Sequence, residues 1–318
     1  MKVMMIGCGR WGSLIAWYLS TLSHEVTLYG RESSANMQRF LRERKNDLLT
    51  LPPSVTLTTE LAAAKDAEVI LISVPAQSLR GLLRELAAFS LRDKTFVLCM
   101  KGIEVETGMR LSEVTAAEVD RSNHIAVWLG PGHVQDFYAG IPNCMVIDSS
   151  EDAVKCRLID AFSGKLIRFY YGDDMIGNEI GAAAKNVIGI AAGVLDGLGL
   201  STLKGALMSR GTREVARLIR AMGGSELSAY GLCHLGDYEA TVFSPYSHNR
   251  QFGESFVHGE EYQALAEGYY TVRAMCQLGE KYGVELPICR AVYDILYEGA
   301  APQEMLNQLL RRSIKNEF

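Results

Sequence analysis

The chain has 318 residues, a formal net charge of −5, 48% hydrophobic and 22% charged residues, which is the balance of a soluble globular protein long enough for two domains. No basic block marks a nucleic-acid surface, and seven scattered cysteines without CxxC or Cys/His spacing exclude a disulfide framework or zinc site, so no metal is expected. No apolar stretch reads as approaching the ~20 residues of a bilayer span, and the expectation is a cytoplasmic protein without membrane insertion.

Residues 2–19, KVMMIGCGRWGSLIAWYL, run from an apolar strand through glycines into a helical pattern. Strand-like segments recur at 25–29 (EVTLY), 67–75 (AEVILISVP), 95–102 (TFVLCMKG), 124–132 (HIAVWLGPG) and 144–148 (CMVID), with helical stretches such as 77–89 and 107–119 between them. The alternation predicts a mostly parallel, doubly wound sheet. Beyond about Gly172 the pattern is helical, broken by Gly and Pro. The predicted architecture is an α/β Rossmann-type domain over 1–175 followed by an all-α domain over 176–318. The basic run RRSIK at 311–315 reads as a solvated helix end.

Gly7, Gly9 and Gly12 spell GxGxxG at a strand-to-helix junction. In that context the first glycine permits the turn, the second lets a pyrophosphate approach the backbone and the third allows close helix packing. Arg10 and Trp11 lie inside the turn. At the end of the second strand, where an acid favours NAD and an arginine tolerates the 2'-phosphate of NADP, Arg31 is followed by Glu32. Arg31 suits NADP(H) or stacking on adenine, Glu32 suits a ribose or an ordinary surface, and the preference stays open. Val74, Pro75 and Gln77 follow a later strand at its C-terminal end, where open sheets place ligand contacts.

In the second half, GAAAKNVIGIAAG at 181–193 sets Lys185 and Asn186 in an otherwise small, apolar helix. A lysine there either lays its stem on the apolar face with its head in water or belongs to a polar site between helices. The second reading is adopted because Asn186, Glu179 and the cluster LGDYEAT at 235–241 offer partners. SPYSHNRQFG at 244–253 places Ser247, His248, Asn249 and Arg250 together, as a phosphate grip or as a plain polar turn.

These segments, in order, resemble the soluble bacterial NAD(P)-dependent glycerol-3-phosphate dehydrogenases over essentially the whole chain. The resemblance is carried by GCGRWG, VPAQSLR, KGIE, GPG, AAAKNVIGIAAGVLDGLGL, RGTREVARL, GLCHLGD, SHNRQFG, AEGYYTVRA and ELPICRAVYDILYEG. It implies NAD(P)H-dependent reduction of dihydroxyacetone phosphate to sn-glycerol 3-phosphate, serving phospholipid synthesis, in a homodimer. By the resemblance Lys185 matches the general acid/base and Lys101 the second active-site lysine. Asn186, Asp237 and Thr241 match polar residues at the reacting centre, Asn249 a substrate contact, and Gly130 and Glu267 cofactor contacts. Hydride arriving at a carbonyl carbon builds charge on oxygen that a placed ammonium stabilises and protonates. Burial and the Lys101 charge are expected to lower the pKa of Lys185.

The chain departs from the family pattern twice. His248 and Gln251 stand where SRNRR is usual, and Gly132 and His133 where GPSFA is usual. Two further readings are a same-architecture dehydrogenase acting on another ketone or polyol, and a non-catalytic dinucleotide sensor. The joint presence of Lys101, Lys185, Asn186, Asp237 and Thr241 argues against the sensor.

Overall fold

The computed structural model describes residues 1–314, 316 and 317. By compactness the chain divides into a sheet unit, Met1–Lys101 with Met109–Glu179, and a helical unit, Gly102–Gly108 with Ile180–Phe318.

In the sheet unit the order is β1 (Lys2–Ile6), α1 (Arg10–Thr21), β2 (Glu25–Tyr29), α2 (Ala35–Glu43), β3 (Thr56–Thr58), β4 (Val69–Ile72) and α3 (Leu79–Ala87). It continues with β5 (Thr95–Leu98), α4 (Leu111–Glu118), β6 (His124–Leu129), α5 (Val134–Tyr138), β7 (Asn143–Asp148), α6 (Asp152–Phe162) and β8 (Ile167–Tyr171). The eight strands lie in the order β3-β2-β1-β4-β5-β6-β7-β8, and all pairs are parallel except β6 with β7. The first six follow the doubly wound order of dinucleotide-binding folds. The central strands β4 and β5 are buried at every residue, as expected of parallel strands covered on both faces.

Two strands escape the sequence reading. β3 is three residues long, and β8 (IRFYY) is an edge strand that leaves Tyr170 and Tyr171 exposed, so neither shows a long apolar run. Helix α4 begins at Leu111, four residues later than the helical pattern suggests. Residues 102–108 group with the helical unit, away from their neighbours in sequence.

Helix α7 (Met175–Gly197) begins in the sheet unit and continues into the helical unit, which adds α8 (Lys204–Ala221), α9 (His248–His258), α10 (Glu267–Tyr282), α11 (Pro287–Tyr297) and α12 (Pro302–Leu310). Helices α11 and α12 start with proline in the first turn, while α9 and α10 end at Gly259 and Gly283 with φ of 69° and 64°. Contrary to the sequence reading, α7 is by length and composition apolar enough to cross a bilayer. However, 78% of its most apolar window is buried within the protein, and every residue from 181 to 190 is buried. The basic run follows the end of α12: residues 311–314 are exposed, and Lys315 lies outside the described residues.

Small residues are what let other chain segments reach α7. A Cβ on Gly193 would lie 1.9 Å from the Arg250 carbonyl oxygen, one on Gly253 2.2 Å from that of Ile190, and one on Gly268 2.6 Å from that of Asn186. Helices α9 and α10 therefore touch α7 backbone to backbone, which any side chain at these positions would prevent.

Candidate functional site

The sheet unit carries the glycine turn as an assembled cradle. Gly7 has φ of 111°, and a Cβ on it would meet the Ser73 carbonyl oxygen at 2.1 Å. A Cβ on Gly12 would meet the Gly7 carbonyl oxygen at 1.9 Å, so α1 packs directly against the turn. Gly9 has nothing within 4 Å of its Cβ position and caps the N-terminus of α1, which leaves open backbone facing the positive end of the helix dipole. These features fit a pyrophosphate.

Around the cradle, Trp11 packs on Phe137 with ring centroids 5.8 Å apart, and the Arg10 guanidinium reaches the Gln135 side-chain oxygen at 3.4 Å. Arg31, exposed at the end of β2, pairs with Glu85 at 3.0 Å. Val74, Pro75 and Gln77 follow β4, with Pro75 and Gln77 exposed. Lys101 follows β5, and its Nζ donates to the Gly130 carbonyl oxygen at 2.7 Å. Gly130 and Gly132 have φ of 136° and 133°, and the Phe137 ring comes within 2.3 Å of the Cβ position of Gly132. The glycine that departs from the family pattern is thus required here, because a serine would collide with that ring in a left-handed conformation.

In the helical unit Lys185 is buried, and its Nζ donates to Thr241 Oγ1 at 2.7 Å and lies 3.2 Å from Asp237 Oδ2. Asp237 sits on a single 3₁₀ turn (Leu235–Asp237), and Thr241 follows on a π-helical turn (Glu239–Phe243). Both are only 1% exposed, so the ion pair is desolvated and each partner depends on the other. The wider π turn is an irregularity that recurs at functional sites.

Beneath the pair lies a support that sequence reasoning missed. His234 is fully buried, its Nδ1 donates to the Gly181 carbonyl oxygen at 2.8 Å, and its Nε2 accepts from the Tyr238 hydroxyl at 2.7 Å. Burial pushes the His234 imidazole down to about 4, the Gly181 bond and Asp237 oppose the shift, and Lys185 adds to it. A neutral ring suits both bonds and adds no positive charge near the lysine. The spacing of His234 and Tyr238, one helical turn apart, is the signal in the sequence that points to them.

A second cluster links three helices. Asn249 Nδ2 donates to Asn186 Oδ1 at 3.0 Å, and Asn249 Oδ1 accepts from the Gly268 amide at 2.9 Å. Glu267 is therefore placed at the first position of α10, beside that amide.

Several of the sequence candidates have partners within the protein that the sequence did not indicate. Glu179 does not serve Lys185: it is 5% exposed and pairs with Arg110 at 2.7 Å while accepting from the Ser112 amide and hydroxyl. Burial raises the Glu179 pKa, and Arg110 with the Ser112 bonds oppose the rise. Arg250 is turned inward, to Asp196 at 2.7 Å, Glu254 at 3.0 Å and the Ser244 carbonyl at 3.1 Å, so its charge is neutralised inside the fold. Burial opposes the charge of Asp196, but hydrogen bonds from Lys204, Ser201 and Arg250 outweigh it and hold the carboxyl below its ordinary range. Ser247 caps α9 by accepting from the Arg250 amide at 3.3 Å. His248 opens α9, and its Nδ1 lies 2.5 Å from the Tyr262 hydroxyl.

A glycine cradle at the end of the first strand of a 3-2-1-4-5-6 sheet defines a Rossmann-type dinucleotide-binding protein, here joined to a helical unit built around a buried lysine. The model of the NAD-dependent glycerol-3-phosphate dehydrogenase N-terminus matches residues 2–155, and that of its C-terminus residues 174–307. The chain belongs to this family. It is 34% identical to glycerol-3-phosphate dehydrogenase [NAD(P)+] 2 of Salinibacter ruber over 99% of this chain and 96% of the relative. It is also 34% identical to the [NAD(P)+] enzyme of Prosthecochloris aestuarii over the full length of both. The crystal structure of glycerol-3-phosphate dehydrogenase from Coxiella burnetii superposes with a TM-score of 0.91 at 29% identity, covering 98% of this chain and 99% of that one.

Proposed function

We propose that the chain catalyses the reversible NAD(P)H-dependent reduction of dihydroxyacetone phosphate to sn-glycerol 3-phosphate, with Lys185 as general acid/base. The observation that carries this reading is the buried Lys185 ammonium held by Asp237 and Thr241. These two partners fix the position of the ammonium. The ammonium then polarises the carbonyl oxygen, delivers a proton to it, and accepts that proton back in the reverse reaction. A bound nicotinamide would supply the hydride.

Gly7, Gly9 and Gly12 hold the pyrophosphate in this reading, with Arg10, Trp11, Arg31, Val74, Pro75, Gln77, Lys101, Gly130 and Glu267 as further cofactor contacts. Lys101 also serves as the second active-site lysine. Asn186 and Asn249 orient the substrate, and His248 meets its phosphate. Ser247 and Arg250 act by holding the start of α9. The protein is proposed to work as a cytoplasmic homodimer that supplies glycerophospholipid synthesis. His248 at the family's arginine position is the observation that favours a second reading, the same chemistry on a different ketone, which a panel of phosphorylated and plain ketones resolves.

Lys185→Ala is the test. Loss of a positioned acid and of its charge should lower kcat by at least roughly 10³-fold, with NADH affinity by fluorescence titration unchanged. Turnover within tenfold of the parent would refute the role.

A further inference from the structure

The hydrogen bonds around His248 point to a function for two residues with no assigned role, Tyr262 and Gln251. Gln251 Nε2 lies 2.6 Å from the Pro245 carbonyl oxygen, which only accepts, so the amide orientation is fixed and Oε1 faces Tyr262. Oε1 is itself only an acceptor, so the Tyr262 hydroxyl must give it its single proton across 3.0 Å. The Tyr262 oxygen then has only lone pairs for the His248 Nδ1, 2.5 Å away, and that nitrogen must carry hydrogen. The tyrosine ring also packs edge-on against the imidazole, with centroids 6.2 Å apart.

We propose that Tyr262 and Gln251 hold His248 in its Nδ1–H form, so that substrate phosphate binding by His248 requires a second proton on the ring. In the neutral form Nε2 presents a lone pair, which repels a phosphate oxygen; in the imidazolium it presents an N–H and a positive charge. The inference rests on the reading that His248 meets the substrate phosphate. It makes His248 a conditional substitute for arginine, whose guanidinium donates at every pH. The Nδ1–H···O bond to a neutral phenol supports the imidazolium. The positive end of α9, which His248 opens, opposes it. Charged groups of this region among the described residues include Arg250 on α9, neutralised by Asp196 and Glu254, Glu267 at the start of α10, and the exposed Glu260 and Glu261 next to Tyr262 in the chain.

Two measurements on the full-length protein test the proposal. First, ¹⁵N-edited spectra of the histidine-labelled enzyme at pH 8.5, with the His248 signal assigned by its loss in His248→Arg, should show the Nδ1–H form. In Tyr262→Phe the ring should move toward the Nε2–H form. A wild-type ring already in the Nε2–H form, or one that Tyr262→Phe leaves unchanged, overturns the relay. Second, the KM for dihydroxyacetone phosphate should rise by roughly tenfold per pH unit above the imidazole pKa, as one required proton dictates, with kcat nearly level. His248→Arg should flatten the rise, and Tyr262→Phe should make it shallower. The arginine variant also cancels any contribution from ionisation of the substrate's own phosphate. A KM that stays flat with pH and is unchanged in His248→Arg, while the spectra show the Nδ1–H form, overturns the phosphate contact and leaves the relay standing.

Discussion

Gly193→Ala is expected to damage both stability and substrate binding through one displacement. The added methyl would sit 1.9 Å from the Arg250 carbonyl oxygen and 2.8 Å from the Glu254 amide nitrogen, and Cβ atoms essentially never approach closer than 3.0 Å. Both obstacles are backbone, so no side chain can rotate away. Helices α7 and α9 must part by about the 1.1 Å between those limits, and the 3.0 Å bond from Asn249 to Asn186 then leaves hydrogen-bonding range. Overpacking of this kind costs about 3 kcal/mol, at the upper end of its usual range because neither partner yields. With a typical entropy of unfolding, Tm should fall by about 4 °C if the chain unfolds as one, and by about twice that if the helical unit unfolds alone. Loss of the Asn249 contact adds a rise in KM of roughly fivefold to tenfold. Calorimetry and steady-state kinetics measure the two effects. Gly205→Ala serves as the control: nothing lies within 4 Å of its Cβ position in α8, so it should stabilise by about 0.5 kcal/mol. Parent values of both Tm and KM in Gly193→Ala would refute the reasoning.

The glycine cradle predicts two separable outcomes. Gly12→Ala drives a methyl into the Gly7 carbonyl and should lower Tm together with NADH affinity, whereas Gly9→Ala meets nothing in the protein and should weaken NADH binding by fluorescence titration with Tm unchanged. Glu214 gives a pH test. Its carboxylate is fully buried and accepts the amides of Ile288 and Cys289 at 2.8 and 2.9 Å, and burial pushes it up to about 7 from 4.5, against those hydrogen bonds. The folded state therefore holds the proton more tightly than the unfolded chain. The corresponding stability is complete below about pH 4.5 and lost as pH rises through about 7, an effect of about 3 kcal/mol. The stability difference between parent and Glu214→Gln in denaturant melts should shrink by that order from pH 4.5 to 8, and parallel profiles would contradict the assignment.

Local physics makes the dinucleotide turn legible in the sequence itself. The three glycines act within one turn and one helix start, so their spacing carries the geometry, and β2 falls on the EVTLY segment because a short buried strand is a local apolar pattern. Lys185 and the 235–241 cluster are legible as candidate partners, but the choice of Asp237 and Thr241 within that cluster comes through resemblance to a family, since they are brought to the lysine from 52 and 56 residues away by helix packing, on which no spacing rule bears.

Partner choice among charged groups is decided by tertiary structure alone. Along the sequence Glu179 stands near Lys185 and Arg250 stands ready for a phosphate, but Arg110 and Asp196, 69 and 54 residues away, take them. Long-range ion pairs depend on which helices meet and at what depth, and burial leaves the nearest opposite charge as the only partner able to offset the loss of water. The same holds for the helix that carries the lysine. Its apolar, small-residue composition is plain in the sequence, whereas the neighbours that require it, the Arg250 and Glu254 backbone against Gly193 and the Asn249 and Val257 side chains against Gly189 and Gly197, are in place only once α9 has packed.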